Sequence, residues 1–212
     1  MRLGNFASVD PYHQERGVGG LKNGMNQVQP IWDEFYNNQE DLIFLSEDIL
    51  AKEENTSIEK KFEDILFDIK DLKGQDIIRA VRTRVNQSVF RQMVLSNYDN
   101  KCSITGIDIP ELLFASHIIP WSKNEEHRLN PENGICFSVL YDKAFDKGLI
   151  GINTNHEIIF SDSIKKKKET EFFNRYFASI ENQKINVAQK YSPRKEFLEY
   201  HLDTIFNKQT IS

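Results

Sequence analysis

The stretch Phe114–Gly148, FASHIIPWSKNEEHRLNPENGICFSVLYDKAFDKG, decides the fold. It reads as a strand, a polar loop, a short strand and a short helix. Leu112–Ile119 alternates loosely in polarity, as a strand near a core does, and Pro120 ends it. The loop closes on Pro131-Glu132-Asn133-Gly134, a turn signal. Ser138 is a good helix N-cap and Gly148 a good C-terminal stop. Between them lie Asp142 and Asp146, four residues apart and so on one helix face. His117 stands on the first strand, and its ring, with an unperturbed pKa of about 6.5, can take a proton from water near pH 7. A base on a strand facing hard oxygen ligands on a helix is an arrangement for activating water beside a metal-bound phosphate.

These residues resemble the HNH nucleases. The subtype they are similar to carries SHIxPW, RLNPxNG and DxAFDxG, and occurs in bacterial endonucleases of restriction type. Several motifs agree in order and spacing, and the likeness extends more loosely from about Met1 to Phe206. The resemblance implies an α+β fold, a ββα-metal (His-Me finger) core flanked by N-terminal and C-terminal helices. It implies a metal-dependent endonuclease that hydrolyses DNA phosphodiester bonds and leaves 5′-phosphate and 3′-hydroxyl ends. One divalent metal ion is expected, Mg²⁺ or Mn²⁺, because carboxylates are hard ligands.

By the same resemblance His117 is the general base, and Asn133, the middle letter of HNH, orders the loop against the base-bearing strand. Asp142 falls nine residues after Asn133, where the family's final ligand lies. Asp146 is read as a second ligand, a group bonded to one, or a helix charge beside Lys143 and Lys147. Ser116 takes the place where the family often has a metal-binding Asp or His, and a neutral hydroxyl is a weaker ligand. Tyr141 stands where relatives carry His. These two departures motivate an alternative, a catalytically impaired HNH-fold DNA-binding module. A third reading is an interaction protein that pairs subunits through acidic helices.

Composition bounds these readings. The chain has 212 residues and 15 phenylalanines, enough for a sizeable core. No apolar run reaches membrane-span length, and MRLGNFASVDPYHQERG lacks the apolar centre of a signal peptide. Cys102 and Cys136 are too few for a disulfide framework or a four-cysteine zinc site. No structural zinc is therefore expected, and both cysteines are read as small buried residues. The protein is read as cytoplasmic, with DNA as partner, a homodimer as an option and no membrane.

The net charge of −5 counts against nucleic acid until its distribution is seen. Residues 1–76 carry 8 basic and 16 acidic side chains, whereas residues 77–212 carry 19 and 16. Local field governs phosphate attraction, because screening cuts in at roughly 8–10 Å. Arg82, Arg84 and Arg91 on a predicted helix opened by Gly74, Arg128 in the loop, and Lys143 and Lys147 on the site helix are the expected DNA contacts, against solvent exposure. Arg128 alternatively ties the loop down. Lys165–Lys168 adds a basic run.

Three segments follow. Residues 1–29, with four glycines in GVGGLKNG, read as a flexible segment, either a tail or the remnant of a longer N-terminal module. Residues 30–76 read as an acidic helical annex, with Pro30–Lys52 one helix and Thr56-Ser57 capping a second. Residues 77–212 are expected to form the nuclease domain, with a hairpin across Asn153–His156 and a last helix after Pro193.

Overall fold

The computed structural model describes residues 3–20, 22–66 and 72–207. Positions 1, 2 and 21 of the expected N-terminal segment, and 67–71 of the expected annex, lie outside the described residues. The chain divides into two compact units, Met1–Asn86 and Gln87–Ser212. The division falls inside one long helix rather than at the expected boundary of 76 and 77.

Among its described residues the first unit is helical from Leu3, where a flexible segment was expected: α1 Leu3–Ala7, α2 Pro11–Gln14 and α3 Lys22–Phe35. The missed signal is local. The Asp10 side chain accepts from Tyr12 N at 2.9 Å and Pro11 takes the first helical position, a pairing that starts a helix whatever the glycine content nearby. Pro30 lies inside α3 instead of opening a helix. The expected single helix breaks after Phe35 and resumes as α4 Gln39–Glu53.

Ser57 caps the single turn α5 Ile58–Lys61, accepting from Lys60 N at 3.2 Å. Ala51, Ile58, Leu66, Val81 and Val85 form this unit's core, with Phe44 and Phe62 packed on it. Only part of the α4 apolar stripe joins in: Leu42, Leu45, Ile49 and Leu50 are exposed. Residues 44 and 51 share one side of the helix and 42, 45 and 49 the opposite one, so α4 is apolar on two sides.

α6 Gln75–Asn97 links the two units. From the sequence, Val81, Val85, Val89 and Met93 are spaced by four with Phe90 and Leu95 on the flank. Val81, Val85, Phe90 and Leu95 are buried, but Val94 takes the place of Val89 and Met93, which are only partly buried. A spacing of four drifts by about 40° per step around a 3.6-residue turn, so a buried line must shift by one residue to keep facing its partner.

The second unit holds the ββα element. β1 Leu113–His117 pairs antiparallel with β2 Gly134–Ser138, with Leu113 opposite Ser138 and His117 opposite Gly134. α7 Val139–Asp146 follows at once and packs on both strands. β2 is buried along Gly134–Phe137 because it is covered on both faces, by α7 on one and α6 on the other. Phe145 is fully buried, its ring 5.4 Å from that of Phe137, and it holds α7 to the strands.

The expected hairpin is present as β3 Ile150–Ile152 and β4 Ile158–Phe160. Three short helices follow: α8 Asp162–Lys165, α9 Glu171–Tyr176 capped by Thr170, and α10 Lys195–His201, which runs on into a π-helical turn, Leu202–Phe206. The architecture is α+β with a ββα core. Among the described residues no helix is long and apolar enough to cross a membrane.

Candidate active site

Successive residues of a strand point to opposite faces, and this separates the site into two groups on adjacent residues of β1. Ser116 faces α7. Its buried hydroxyl donates to Asp142 Oδ1 at 2.5 Å. Asp146 lies one turn further along the same helix face. Partial desolvation raises its carboxyl pKa first, the Asp142 charge raises it further, and Lys143 and Lys147 oppose both. Two carboxylates that repel each other in this way gain from a cation between them.

His117 faces α6. Its ring stacks on Phe90 with centroids 3.8 Å apart and planes at 15°. Trp121 meets it edge-on at 5.5 Å. Nε2 lies 2.9 Å from the Arg128 carbonyl oxygen. A carbonyl only accepts, so the neutral ring carries its proton on Nε2 and its lone pair on Nδ1. Burial lowers the His117 pKa, with the Arg128 carbonyl opposing, and the ring is therefore neutral at pH 7.

Asn133 is buried and does not reach into open space. Its Oδ1 accepts from Ile119 N at 2.8 Å, and its Nδ2 donates to Ile119 O at 3.2 Å and His127 O at 3.0 Å. Asn133 thus sews both ends of the 120–132 loop to the end of β1. Its contribution is position: it sets the loop whose Arg128 carbonyl meets the His117 ring.

The expected phosphate-binding cations divide. Arg82 pairs with Asp41 and lies 5.3 Å above the Phe44 ring. Arg91 donates to Leu113 O at 2.6 Å and Pro110 O at 2.8 Å, bracing the entry to β1. Arg128 donates through Nε to Trp121 O at 2.8 Å and meets Glu125 at 3.3 Å, so it ties the loop down. Arg84 is half-buried on α6 within the first unit. Lys143 on α7 and Lys147 just past its end are exposed, next in sequence to the two carboxylates. In the basic run, Lys168 pairs with Glu181 at 2.9 Å.

Tyr141 is turned away from the site. It is buried, its hydroxyl donates to Tyr176 O at 2.5 Å, and it shares the core-facing side of α7 with Phe145. Position 141 is about 100° around the helix from Asp142, so no side chain there projects with the carboxylates. Ser138 occupies the N-cap of α7 but makes no side-chain capping bond; its backbone N–H donates to Cys102 Sγ at 3.2 Å instead. Cys102 and Cys136 are both buried, and burial pushes the Cys136 thiol up to about 12.

Asp142 and Asp146 offer hard oxygen donors on one helix face. Among the described residues no three His, Cys, Asp or Glu groups converge as a metal cage. Mg²⁺ and Mn²⁺ need no such cage. They are held by one or two carboxylates, with phosphate oxygens and water completing the shell, and Asp142 with Asp146 fits that pattern. An open cleft of about 550 Å³ bounded by His127, Glu132 and Pro193–Phe197 contains none of the expected site residues.

Sequence reasoning read Phe90 as the flank of the α6 apolar line and Trp121 as a loop anchor, and placed neither ring beside His117. Phe90 reads as an ordinary core residue of α6, and only the register that puts Gly134 opposite His117 reveals how close that helix comes. Among curated proteins none matches the chain. Residues 102–153, which run from the loop before β1 past β3, match the family model described as HNH endonuclease.

Proposed function

We propose, from the premise that residues 102–153 belong to the HNH endonuclease family, that the protein is a metal-dependent endonuclease that hydrolyses DNA phosphodiester bonds. The observation that carries the reading is that adjacent residues of β1 serve two groups, His117 as an oriented imidazole and Ser116 as the hydroxyl that holds the Asp142 carboxylate of α7. His117 and Ser116 are neighbours on β1, but their side chains leave it on opposite faces, so the expected base facing the helix carboxylates is replaced by two groups that share only the strand end and would meet at a substrate reaching both.

In this reading His117 Nδ1 takes the proton of the attacking water, and the imidazolium so formed is held through Nε2–H by the Arg128 carbonyl. Asn133 keeps that carbonyl in place. Asp142 and Asp146 would hold Mg²⁺ or Mn²⁺, which supplies charge stabilisation to the phosphate and the leaving 3′ oxygen. Ser116 orients Asp142 rather than serving as a ligand itself. Lys143 and Lys147, exposed on and just after the same helix, neutralise neighbouring phosphates. A role in restriction of foreign DNA rests on resemblance to the bacterial subtype.

The contacts of Tyr141 support the active reading over the impaired one, because that residue replaces nothing on the carboxylate face. Cleavage of plasmid DNA by the wild type in Mg²⁺ or Mn²⁺, lost in EDTA and in Asp142→Asn, is the expected result. Equal cleavage by Asp142→Asn would remove the carboxylate site from the account.

A further inference from the structure

We infer that the second half of α6 is a positioning device for the His117 imidazole, acting through Phe90 and Arg91, so that the working centre includes a helix outside the segment matching the family model. The inference rests on the reading of His117 as the base. An imidazole is held by two side-chain torsions, and the outer one is soft and roughly two-fold. A half-turn about it exchanges Nδ1 with the Cδ2 position and removes Nε2 from the Arg128 carbonyl. The Phe90 ring at 3.8 Å and 15° covers one face of the imidazole and fixes its plane. Trp121 limits tilt from the edge, and the carbonyl fixes rotation within the plane.

The helix carrying Phe90 is itself pinned to both ends of β1. Arg91 grips Pro110 O and Leu113 O where the strand begins. Where it ends, opposite His117, a Cβ on Gly134 would lie 2.3 Å from Val94 Cγ2 and 2.9 Å from Phe90 Cζ. Glycine at 134 is what lets α6 come near enough for its aromatic ring to reach the imidazole. Adjacent residues of one helix therefore set the strand's entry and the base at its exit.

The test compares Phe90→Leu, which keeps apolar bulk without a ring, with Val94→Ala, which removes buried volume from the same helix contact. Arg91→Met, at a half-buried position, is the second variant should Phe90→Leu fail to fold. Long-range ¹H–¹⁵N imidazole spectra at pH 8 report the His117 tautomer, and plasmid kinetics report kcat and KM. Wild type and Val94→Ala should show the single Nε2–H form. Phe90→Leu should show both tautomers, with kcat down about 10–100-fold and KM within about twofold. Arg91→Met should move the same way by a smaller factor. A single Nε2–H tautomer retained in both Phe90→Leu and Arg91→Met, or an equal kcat loss in Val94→Ala, would overturn the inference. The spectra need no turnover, so they decide it even if the wild type does not cut, a result that would count against the proposed function alone.

Discussion

His117 Nε2–H is committed to the Arg128 carbonyl at 2.9 Å, which leaves Nδ1 as the only ring nitrogen able to accept a proton. The same burial that orients the ring lowers its pKa below 6.5. Protonated His117 cannot act as a base, so the acid limb of a kcat/KM–pH profile should lie below pH 6.5. An acid limb above that value would mean that another group, or a differently placed ring, controls the reaction. Asn133 makes three hydrogen bonds from a buried position. Asn133→Ala should cost about 1–3 kcal/mol in urea unfolding, because the Ile119 and His127 backbone groups lose their partner away from water. Much of this was legible: HNH-type spacing marked His117, Asn133 and Asp142, and the four-residue step put Asp146 beside Asp142. The direction of Tyr141 was not, since a residue next to Asp142 in sequence is turned by about 100° on the helix.

At the scale of elements, α7 is stopped at its C-terminal end by features of different visibility. Gly148 adopts φ +64°, and a Cβ there would lie 2.7 Å from Ile205 O. The helix stop could be read from sequence, but the close approach of the C-terminal π-helical turn could not. Gly148→Ala should therefore destabilise by about 1–3 kcal/mol, more than the positive φ alone would impose, as measured by chemical unfolding. A loss within about 0.5 kcal/mol would show that the turn gives way. α4 teaches the converse. Its sequence carries apolar residues at helical spacing on two sides, and periodicity has no means of choosing between them; Phe44 and Ala51 face the core while Leu42, Leu45 and Ile49 do not. The helices before Phe35 were missed because glycine content outweighed the Asp10–Pro11 start signal.

For the whole molecule, charge and burial set how it responds to solution conditions. With a net charge of −5, DNA attraction depends on a few placed cations. Replacing Lys143 and Lys147 together by Gln should reduce the slope of log K against log salt by about 2 and weaken binding without regard to DNA sequence. An unchanged slope would place the phosphate contacts elsewhere. His201 is buried, stacks on Phe145 at 3.7 Å and bonds the Phe145 carbonyl through Nε2 at 3.1 Å. Burial pushes its pKa down from 6.5 to about 4. The unfolded chain binds a proton below pH 6.5 that the folded state refuses until pH 4. The His201 contribution is thus complete above pH 6.5 and is lost as pH falls towards 4, in total roughly 3 kcal/mol. The stability difference between wild type and His201→Gln should shrink by about that amount between pH 7 and pH 4.

The central claim is that His117 is the base of a metal-dependent DNA-cutting centre. Its most direct test is supercoiled-plasmid cleavage by wild type and His117→Ala in Mg²⁺, Mn²⁺ or EDTA, with DNA affinity measured in parallel. The account predicts metal-dependent nicking or linearisation by the wild type, and a loss of about 100-fold or more in His117→Ala with affinity retained. Intact plasmid with a folded wild-type protein under every metal, or undiminished cleavage by His117→Ala, would contradict it.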